Sequence, residues 1–317
     1  MQILIIQTAF IGDVVLATSV AEKLHHQFPN ASIDFCVKSG CQELFDQHSY
    51  IRSVHQFDKH NKVSSLIQLI RRFRSIRYDL VINLHRFLSS GMLAAFSGAD
   101  QIIGFKKNPL SFLFSERYDH SFDGQHEIDR NYHLIAGITD DSDPAMPKLY
   151  VSHLIKAMKE KYGKDYVTIS PGSVWQTKKV PLEKWGELIK EKLPRKKIYL
   201  LGGKDDISDC QFIQNQCEGL LVTVLAGQLS MLESAALMKG ANMNYVNDSA
   251  PLHFASAVNA SVTAAFCSTI PAYGFAPLSD ISFIAETGEQ LPCRPCGIHG
   301  KRQCPQGHFR CGSTIIL

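Results

Sequence analysis

Short apolar runs that suit buried strands alternate with segments of helical periodicity along most of this chain. Near the N-terminus, the strand signal from Ile3 to Ile6 is followed by a helical pattern from Val14 to Phe28. The alternation returns in the second half, where "YVTIS" precedes "LEKWGELIKEKL" and "KIYLLGG". Strands that alternate with helices predict an α/β fold with parallel, doubly wound sheets.

The alternation stops around residues 139–150, where "TDDSDPAMPKLY" contains two prolines and no apolar period. This segment predicts a linker between Rossmann-like domains at 1–145 and 146–317. A length of 317 residues, 45% of them apolar, is enough for two globular domains of roughly 150 residues each. We expect the parallel sheets of the two domains to face a central cleft.

The charge of the chain is too small to indicate a nucleic-acid partner. Its formal net charge is +3, whereas nucleic-acid-binding domains are typically strongly basic. Basic residues do cluster in "LIQLIRRFRSIRYDL", at Arg71, Arg72, Arg74 and Arg77. The ordinary interpretation is the solvated face of a helix, and the alternative is contact with anionic lipid headgroups or a phosphorylated substrate.

The turn after the first strand is unusual for a unit that binds phosphate. A dinucleotide-binding turn needs several glycines, but "QTAFIGDVV" offers only Gly12, which is followed by Asp13. A carboxylate at a helix N-terminus repels phosphate from a position where it is normally bound. From the residues alone, Asp13 is either an ordinary helix cap or a group with another task.

The second half, in contrast, has three loops suited to a diphosphate. Each loop follows a predicted strand, which is where ligands of open α/β sheets bind. The loops contain a lysine pair, a glycine pair and the start of a helix, and their candidate residues are Ser170, Gly172, Lys178, Lys179, Gly202, Gly203, Asp248 and Ser249. A lysine and a helix N-terminus can hold a diphosphate without a metal. We therefore predict neither a cofactor nor a metal in this site.

The nine cysteines fall into two groups. Five are isolated and are predicted to be buried in a reducing compartment. The other four lie close together in "CRPCGIHGKRQCPQGHFRC", at Cys293, Cys296, Cys304 and Cys311. The first pair has the spacing of zinc ligands, but six residues separate the second pair. A structural metal, reduced thiols and a disulfide formed on isolation all remain open.

Four segments carry a family resemblance, in order along nearly the whole chain: "FIGDVVLATSVAEKLHHQFPNASIDF", "PGSVWQTKKVP", "LSMLESAALMKGANMNYVNDSAPLHFASAV" and "PCRPCGIHGKRQCPQGHFRC". They resemble glycosyltransferase family 9, the lipopolysaccharide heptosyltransferases, and "FAPLSD" is closest to heptosyltransferase II-like members. The resemblance implies a GT-B fold, with an acceptor domain at 1–145 and a nucleotide-sugar donor domain with a Cys-rich tail at 146–317. It also implies an inverting, metal-independent transfer of heptose from ADP-L-glycero-D-manno-heptose to the lipopolysaccharide inner core.

The resemblance also implies roles for individual residues. Asp13 matches the general base of the family, which takes the proton from the acceptor hydroxyl, and Gly12 would let the backbone turn tightly enough to present it. Lys178 matches the lysine that contacts the donor phosphates. The other matches to donor-binding positions are Glu233 at the nucleotide ribose and Asp248, Ser249 and His253 near the heptose and diphosphate.

The acceptor side is expected along residues 85–133, where Lys106, Lys107 and Arg130 would meet anionic groups of the lipid A–core acceptor. Such acceptors are embedded in a membrane, so the enzyme would work at the inner leaflet without spanning it. The chain has no apolar run of about 18 residues and no signal peptide. We therefore expect a cytoplasmic protein that contacts the inner membrane peripherally.

Two alternatives to this function remain. The chain could transfer another nucleotide sugar to a surface glycan, or it could be a degenerate paralogue that binds a nucleotide without turnover. Ala250 and Cys267 suggest the second alternative, because family members commonly have glycine at these positions. Among the site residues, Asp13 and Glu233 are alternatively helix caps, and His253 is alternatively a buried core histidine.

Overall fold

The computed structural model describes residues 1–140 and 143–317 and divides into two compact units, Met1–Tyr150 (unit 1) and Val151–Leu317 (unit 2). The boundary follows Tyr150, whereas the sequence placed it after residue 145. The predicted linker at 139–150 includes residues 141 and 142, which lie outside the described residues. Within the described ranges, no helix is long and apolar enough to cross a membrane.

Unit 1 is built on a six-stranded parallel sheet with the strand order β3-β2-β1-β4-β5-β6. Its strands are β1 (Gln2–Gln7), β2 (Ser32–Lys38), β3 (Ile51–Phe57), β4 (Leu80–Asn83), β5 (Gln101–Phe105) and β6 (Glu116–Tyr118). Its helices are α1 (Ile11–Gln27), α2 (Lys62–Ile76), α3 (Leu88–Ala95) and α4 (Glu127–His133). Crossovers between parallel strands are right-handed, so α1 lies on one face of the sheet and α2 and α3 lie on the other.

The layer formed by α2 and α3 packs on the sheet through a single apolar core. Leu66, Leu69 and Phe73 point inward from α2, and Leu93 does so from α3. Their spacing along α2 is that of an amphipathic helix. The outward side of this layer is therefore the side that the sheet does not cover.

Unit 2 repeats the plan with the strand order β12-β11-β10-β7-β8-β9, again parallel throughout. Its strands are β7 (Tyr166–Ser170), β8 (Lys197–Leu200), β9 (Val222–Val224), β10 (Met243–Asn247), β11 (Val262–Ala265) and β12 (Ser282–Ala285). Its helices are α5 (Ser152–Tyr162), α6 (Leu182–Lys192), α7 (Ile207–Gln216), α8 (Met231–Gly240), α9 (Ala250–Ala257) and α10 (Arg310–Ser313).

Each sheet has one point at which the strand order reverses. In unit 1 it lies between β1 and β4, and in unit 2 it lies between β7 and β10. Loops that leave the carboxyl ends of such neighbouring strands diverge and open a crevice, which is the usual ligand site of a doubly wound sheet. The residues after β1 and β4, and those after β7 and β10, are therefore where functional side chains are expected.

The segment before unit 2 is held against α1. The side chain of Thr18 accepts a hydrogen bond from the backbone N–H of Lys148 at 2.9 Å. The buried ammonium group of Lys23 binds the carboxylate of Asp140 at 2.5 Å and the carbonyl of Asp143 at 3.2 Å. Asp140 and Asp143, on either side of residues 141 and 142, are thus both anchored to α1.

Candidate functional site

Two side chains meet at the reversal point of the unit 1 sheet. The hydroxyl of Thr8, which follows β1, lies 2.9 Å from Nδ1 of His85, which follows β4. Burial and the positive charges of Lys59 and Arg86 lower the pKa of His85 to about 4. The imidazole is therefore neutral at pH 7 and available as a hydrogen-bonding group. The sequence analysis named neither residue.

Asp13 lies at the third position of α1, at the same carboxyl edge. The helix begins at Ile11, three residues before the predicted start, so Gly12 and Asp13 are both helical. The carboxylate of Asp13 accepts a hydrogen bond from the backbone N–H of Phe10 at 3.1 Å and thus caps its own helix. It is half-buried and lies within electrostatic range of Lys59.

The structure does not have the tight turn that was predicted at Gly12. Gly12 is buried inside α1, and its φ is outside the left-handed region that favours glycine. The chain turns before Gly12, at residues 8–10. Gly12 therefore does not present Asp13 through a glycine-specific turn.

Arg130 is buried, which corrects its interpretation as an exposed acceptor-binding group. Its side chain is 2% exposed and pairs with the buried carboxylate of Glu127 at 2.8 Å. Its guanidinium also lies 4.9 Å from the centre of the Phe122 ring. Two other cations lie over the same ring: the exposed Lys107, at 5.8 Å from its centre, and the half-buried Arg86, at 5.3 Å. Arg130 stabilises this loop, and the other two cations are the ones that a solute can reach.

Lys106, which carries the same prediction, has its ammonium group paired with the carboxylate of Asp119 at 2.6 Å. Both side chains are exposed, so the pair is a weak surface contact.

In unit 2, a buried ion pair occupies the reversal point of the sheet. The ammonium group of Lys178 lies 2.7 Å from the carboxylate of Asp248, which directly follows β10. The Lys178 side chain is 13% exposed, and that of Asp248 is 6% exposed. The hydroxyl of Thr269 donates a second hydrogen bond to Asp248 at 2.6 Å. The structure therefore brings together two residues that the sequence proposed for the donor site.

The N-terminus of α9 begins next to this ion pair. Ser249 is the N-cap residue, but its side chain makes no capping hydrogen bond and instead lies 3.5 Å from the carbonyl of Asn247. Pro251 has no N–H, and the N–H of Leu252 donates to the carbonyl of Ser249 at 3.0 Å. The N–H of Ala250 is therefore the donor at this helix start that the described contacts leave for an anion. His253 lies one turn further along, buried, with its ring edge-on to Phe275 at 6.2 Å.

Three predicted glycines surround a carboxylate. A Cβ atom at Gly172 or Gly202 would approach the side chain of Asp206 to 2.4 or 2.7 Å, respectively. The N–H of Gly203 donates to the same carboxylate at 2.9 Å. Gly172 and Gly202 therefore leave room for Asp206, whereas a Cβ at Gly203 would lie 3.8 Å from that side chain, an ordinary contact. All three glycines were predicted as donor-binding positions.

The remaining predicted residues have simple local environments. Glu233 forms a reciprocal capping box with Ser230, in which each side chain accepts a hydrogen bond from the N–H of the other. Ser170 ends β7 and is buried, and its hydroxyl has no hydrogen-bond partner among the described residues. Lys179 pairs with Asp209 at 2.9 Å, away from the Lys178 pair.

Side chains that the sequence analysis did not identify hold the loop of Lys178 in place. The amide of Asn247 donates to the carbonyl of Pro171 at 2.6 Å and accepts from the N–H of Val180 at 3.1 Å. The hydroxyl of Thr177 lies 2.9 Å from that of Ser268. The loop is therefore tied to the last residue of β10 and to a residue that follows β11.

The Cys-rich tail packs against the same loops. The backbone N–H of Thr177 donates to the carbonyl of Lys301, and the N–H of Lys301 donates to the hydroxyl of Thr177 at 2.8 Å. Gly300 has φ +73°, and a Cβ there would lie 3.0 Å from Cγ of Lys178. The tail thus supports the aliphatic stem of Lys178 at a point where only glycine leaves room.

Arg294 joins the tail to the loop after β11. Its guanidinium donates to three carbonyl oxygens, those of Phe266, Cys267 and Thr269, and pairs with Glu286. Arg294 lies within the quoted "CRPC" segment, but its role was not predicted, because the three carbonyls that it binds are more than 20 positions away.

All four cysteines of the tail are free thiols. Sγ of Cys293 lies 3.9 Å from Nε2 of His308, and burial raises the pKa of Cys311 to about 11. In the parts of the chain that the structure describes, no three or more His, Cys, Asp or Glu side chains form a group that could hold a metal ion.

Comparisons with known proteins identify what this architecture is similar to. The model of glycosyltransferase family 9 (heptosyltransferase) matches residues 66–304. Lipopolysaccharide heptosyltransferase 1 of Pseudomonas aeruginosa is 24% identical over 310 residues, covering 93% of this chain and 86% of that protein.

Two solved structures share the fold. Escherichia coli ADP-heptose lipopolysaccharide heptosyltransferase II has a TM-score of 0.79 and 19% identity, covering 98% of this chain and 97% of that one. Escherichia coli heptosyltransferase WaaC, solved with ADP, has a TM-score of 0.72 and 19% identity, covering 88% and 94%. The predicted α/β fold of the GT-B class, with two Rossmann-like units, is confirmed.

Proposed function

Because the chain belongs to glycosyltransferase family 9, we propose that it transfers heptose from ADP-L-glycero-D-manno-heptose to the inner core of lipopolysaccharide, with inversion and without a metal. Unit 2 would bind the donor and unit 1 the acceptor. The observation that carries the proposal is the buried pair of Lys178 and Asp248 beside the uncapped start of α9. The relatives named as lipopolysaccharide heptosyltransferases, and the related structure solved with ADP, support the choice of substrates.

The donor half of the reaction concerns the diphosphate. Asp248 fixes the ammonium group of Lys178 before any donor is bound, so little reorganisation is needed when the diphosphate arrives. Since Asp248 also offsets part of the lysine's charge, the start of α9 would supply the remaining positive potential through the N–H of Ala250 and the helix dipole. These groups would stabilise the charge that develops on ADP as its bond to the anomeric carbon breaks.

The acceptor half concerns a proton. The acceptor oxygen forms a bond to the anomeric carbon, and its proton passes to the carboxylate of Asp13. The electron pair of the breaking bond leaves with ADP. Attack from the side opposite to ADP inverts the anomeric configuration. The hydrogen bond from Phe10 to Asp13 would hold the carboxylate in one orientation while it acts.

The experiment that tests the proposal measures ADP release with ADP-heptose and a panel of truncated lipopolysaccharide cores. Release should require both substrates and should persist in EDTA. UDP- and GDP-sugars provide the matched donor controls, and each core without donor provides the blank. Turnover with a different nucleotide sugar would replace the proposed donor, and ADP-heptose binding without transfer to any core would identify a non-catalytic paralogue.

A further inference from the structure

The outward face of α2 combines a strong positive charge with exposed aliphatic side chains. We define the basic face as Lys62, Val63, Ile67, Arg71, Arg72, Arg74 and Arg77. Each of these side chains is exposed, with Val63 at 70% and Ile67 at 46%. None of the five cations forms an ion pair or a side-chain hydrogen bond with any residue that the structure describes.

The charge of this face is not balanced locally. Residues 59–78 contain six lysines and arginines and no aspartate or glutamate. The chain as a whole has a net charge of +3, so the remainder is net negative. Asp58 and Asp79 flank this stretch, and the rest of the chain is close to neutral for its size. A cationic stripe on such a molecule attracts an anionic partner preferentially to that side.

The position of the arginines excludes the reacting substrate as that partner. The C-terminal end of α2 leads through Arg77 and Asp79 to the amino end of β4, and the N–H of Asp79 donates to the carbonyl of Gln2 at the start of β1. The arginines therefore lie at the amino edge of the sheet. Asp13 and His85 lie at the carboxyl edge, where the crevice forms.

An aromatic side chain extends the basic face onto the neighbouring helix. Phe96, directly after α3, is 42% exposed and lies close in sequence to Gly98, which packs against the stem of Arg74, and α3 belongs to the same layer as α2. Cationic residues beside exposed aliphatic and aromatic groups are the pattern of a helix that lies in the plane of a membrane interface. A polyanion such as RNA could bind the cations of this face, but it would leave the apolar side chains exposed to water.

We propose that the basic face docks unit 1 on the surface of an anionic phospholipid bilayer. The inference rests on the proposed function, since only an enzyme with a lipid-anchored acceptor gains from this contact. Docking would keep the enzyme at the leaflet that holds its acceptor while the carboxyl edge of the unit 1 sheet stays open to the sugar chain.

Flotation with vesicles tests the proposal. The intact chain should float with vesicles of phosphatidylcholine containing 30% phosphatidylglycerol (roughly the anionic lipid fraction that gives a substantial surface potential). It should not float with phosphatidylcholine alone. Each arginine near such a surface strengthens binding about fivefold, so Arg71→Gln with Arg74→Gln should weaken partitioning roughly 25-fold. The matched control is Arg195→Gln with Arg302→Gln, which removes the same charge from exposed positions of unit 2 and should leave partitioning unchanged.

The apolar contribution is tested separately with Val63→Ser and Ile67→Ser, against Leu221→Ser and Phe212→Ser at exposed positions of unit 2. Only the first pair should reduce flotation. Equal losses in the basic-face and control variants would overturn the proposal, as would retention on heparin without vesicle binding.

Turnover with a water-soluble core oligosaccharide separates this inference from the proposed function. The Arg71→Gln and Arg74→Gln variant should keep that turnover while losing activity on acceptor embedded in anionic vesicles. If the unmodified chain does not turn over the water-soluble acceptor, the proposed function is wrong, and the reason for docking is removed with it. Absence of flotation with soluble turnover intact would defeat only the docking proposal.

Discussion

At the scale of single residues, Asp13 has a structural task that can be separated from its proposed chemistry. An amide accepts the capping hydrogen bond of Phe10 nearly as well as a carboxylate does, but it does not accept a proton at neutral pH. Asp13→Asn should therefore keep its stability and its affinity for ADP while kcat falls by about 10² to 10⁴.

Asp129→Asn is the matched control for that variant, because Asp129 occupies the same capping position in α4 and accepts from the N–H of His126 at 3.0 Å. ADP release and ADP titration calorimetry distinguish the two variants. Full turnover in Asp13→Asn would show that the carboxylate serves only as a cap.

Lys178 and Lys179 are adjacent lysines in different pairs, which gives a sharp comparison. Lys178→Met removes the charge next to α9, and should lower kcat/KM for the donor by about 10² to 10³, in the range of other transition-state charge stabilisers. Lys179→Met removes a charge that faces Asp209 and should change kcat/KM less than about threefold. Similar losses in both variants would mean that the loop, and not the Lys178 ammonium, matters for transfer.

Asp34 makes part of the stability depend on pH. Burial raises the pKa of this fully buried carboxyl, but hydrogen bonds from His55, Arg52 and Tyr78 outweigh that effect and lower it to about 2. A pKa below the ordinary value of 3.8 means stability that is present above that value and lost as the pH falls toward 2. The difference corresponds to about 2 kcal/mol.

Tyr78→Phe removes the hydrogen bond of 2.6 Å to Asp34 and should reduce the acid sensitivity of unfolding by about 1 kcal/mol. Urea unfolding between pH 6 and pH 2 measures this change. Tyr199→Phe is the control, since that hydroxyl donates to the carbonyl of Tyr162 and faces no carboxylate. If the unfolding free energy of Tyr78→Phe depends on pH as that of the unmodified chain does, Asp34 is not the source of the acid sensitivity.

At the scale of elements, Arg294 acts through the loop that it holds. Arg294→Lys keeps the charge but loses the planar fork that reaches three carbonyls. We expect unit 2 to lose about 1 to 3 kcal/mol of unfolding free energy and the donor KM to rise. Arg310→Lys, whose pair with Glu289 is more exposed, should alter neither the thermal unfolding curve nor KM. Equal effects of both substitutions would show that Arg294 has no special link to the donor loops.

The strands that the sequence indicated are the central ones of each sheet. β1, β2, β4, β7, β8, β10 and β11 are rich in buried apolar residues, and each was visible as a short apolar run. The edge strands β3, β6, β9 and β12 were not identified, because they are half-exposed and two of them have only three residues. The interior strand β5 was also missed, although four of its five residues are buried. Burial produces the apolar runs by which most interior strands were recognised, and edge strands are less buried.

The candidate site was predictable where a residue type and its position after a strand both matter, as for Lys178 and Asp248. It was not predictable where long-range hydrogen bonds decide, as for Asn247 and Arg294. Gly172 and Gly202 were predicted as donor-binding positions, and the structure adds that the side chain of Asp206 leaves no room for a Cβ at either of them. A local sequence pattern reveals these glycines, but it does not reveal the distant side chain that packs against them.

At the scale of the whole molecule, the two units should respond to nucleotide differently. ADP binding to unit 2 alone should slow amide hydrogen exchange at residues 172–180 and 249–254, and leave residues 8–13 unchanged. At 100 times its dissociation constant, ADP should stabilise the chain by about 2.7 kcal/mol, with or without EDTA. Protection confined to unit 1 would reverse the proposed assignment of donor and acceptor, and a requirement for divalent metal would contradict the metal-free mechanism.

The contact between Gly300 and the stem of Lys178 has a practical consequence for dissecting the protein. An isolated nucleotide-binding fragment must run from Val151 through the final cysteine to Ile315, which pairs with Thr287. A shorter piece that ended after β12 would keep the whole sheet and every side chain that we propose to face the donor phosphates. It would still bind nucleotide poorly, because the clamp on its lysine would have been cut away.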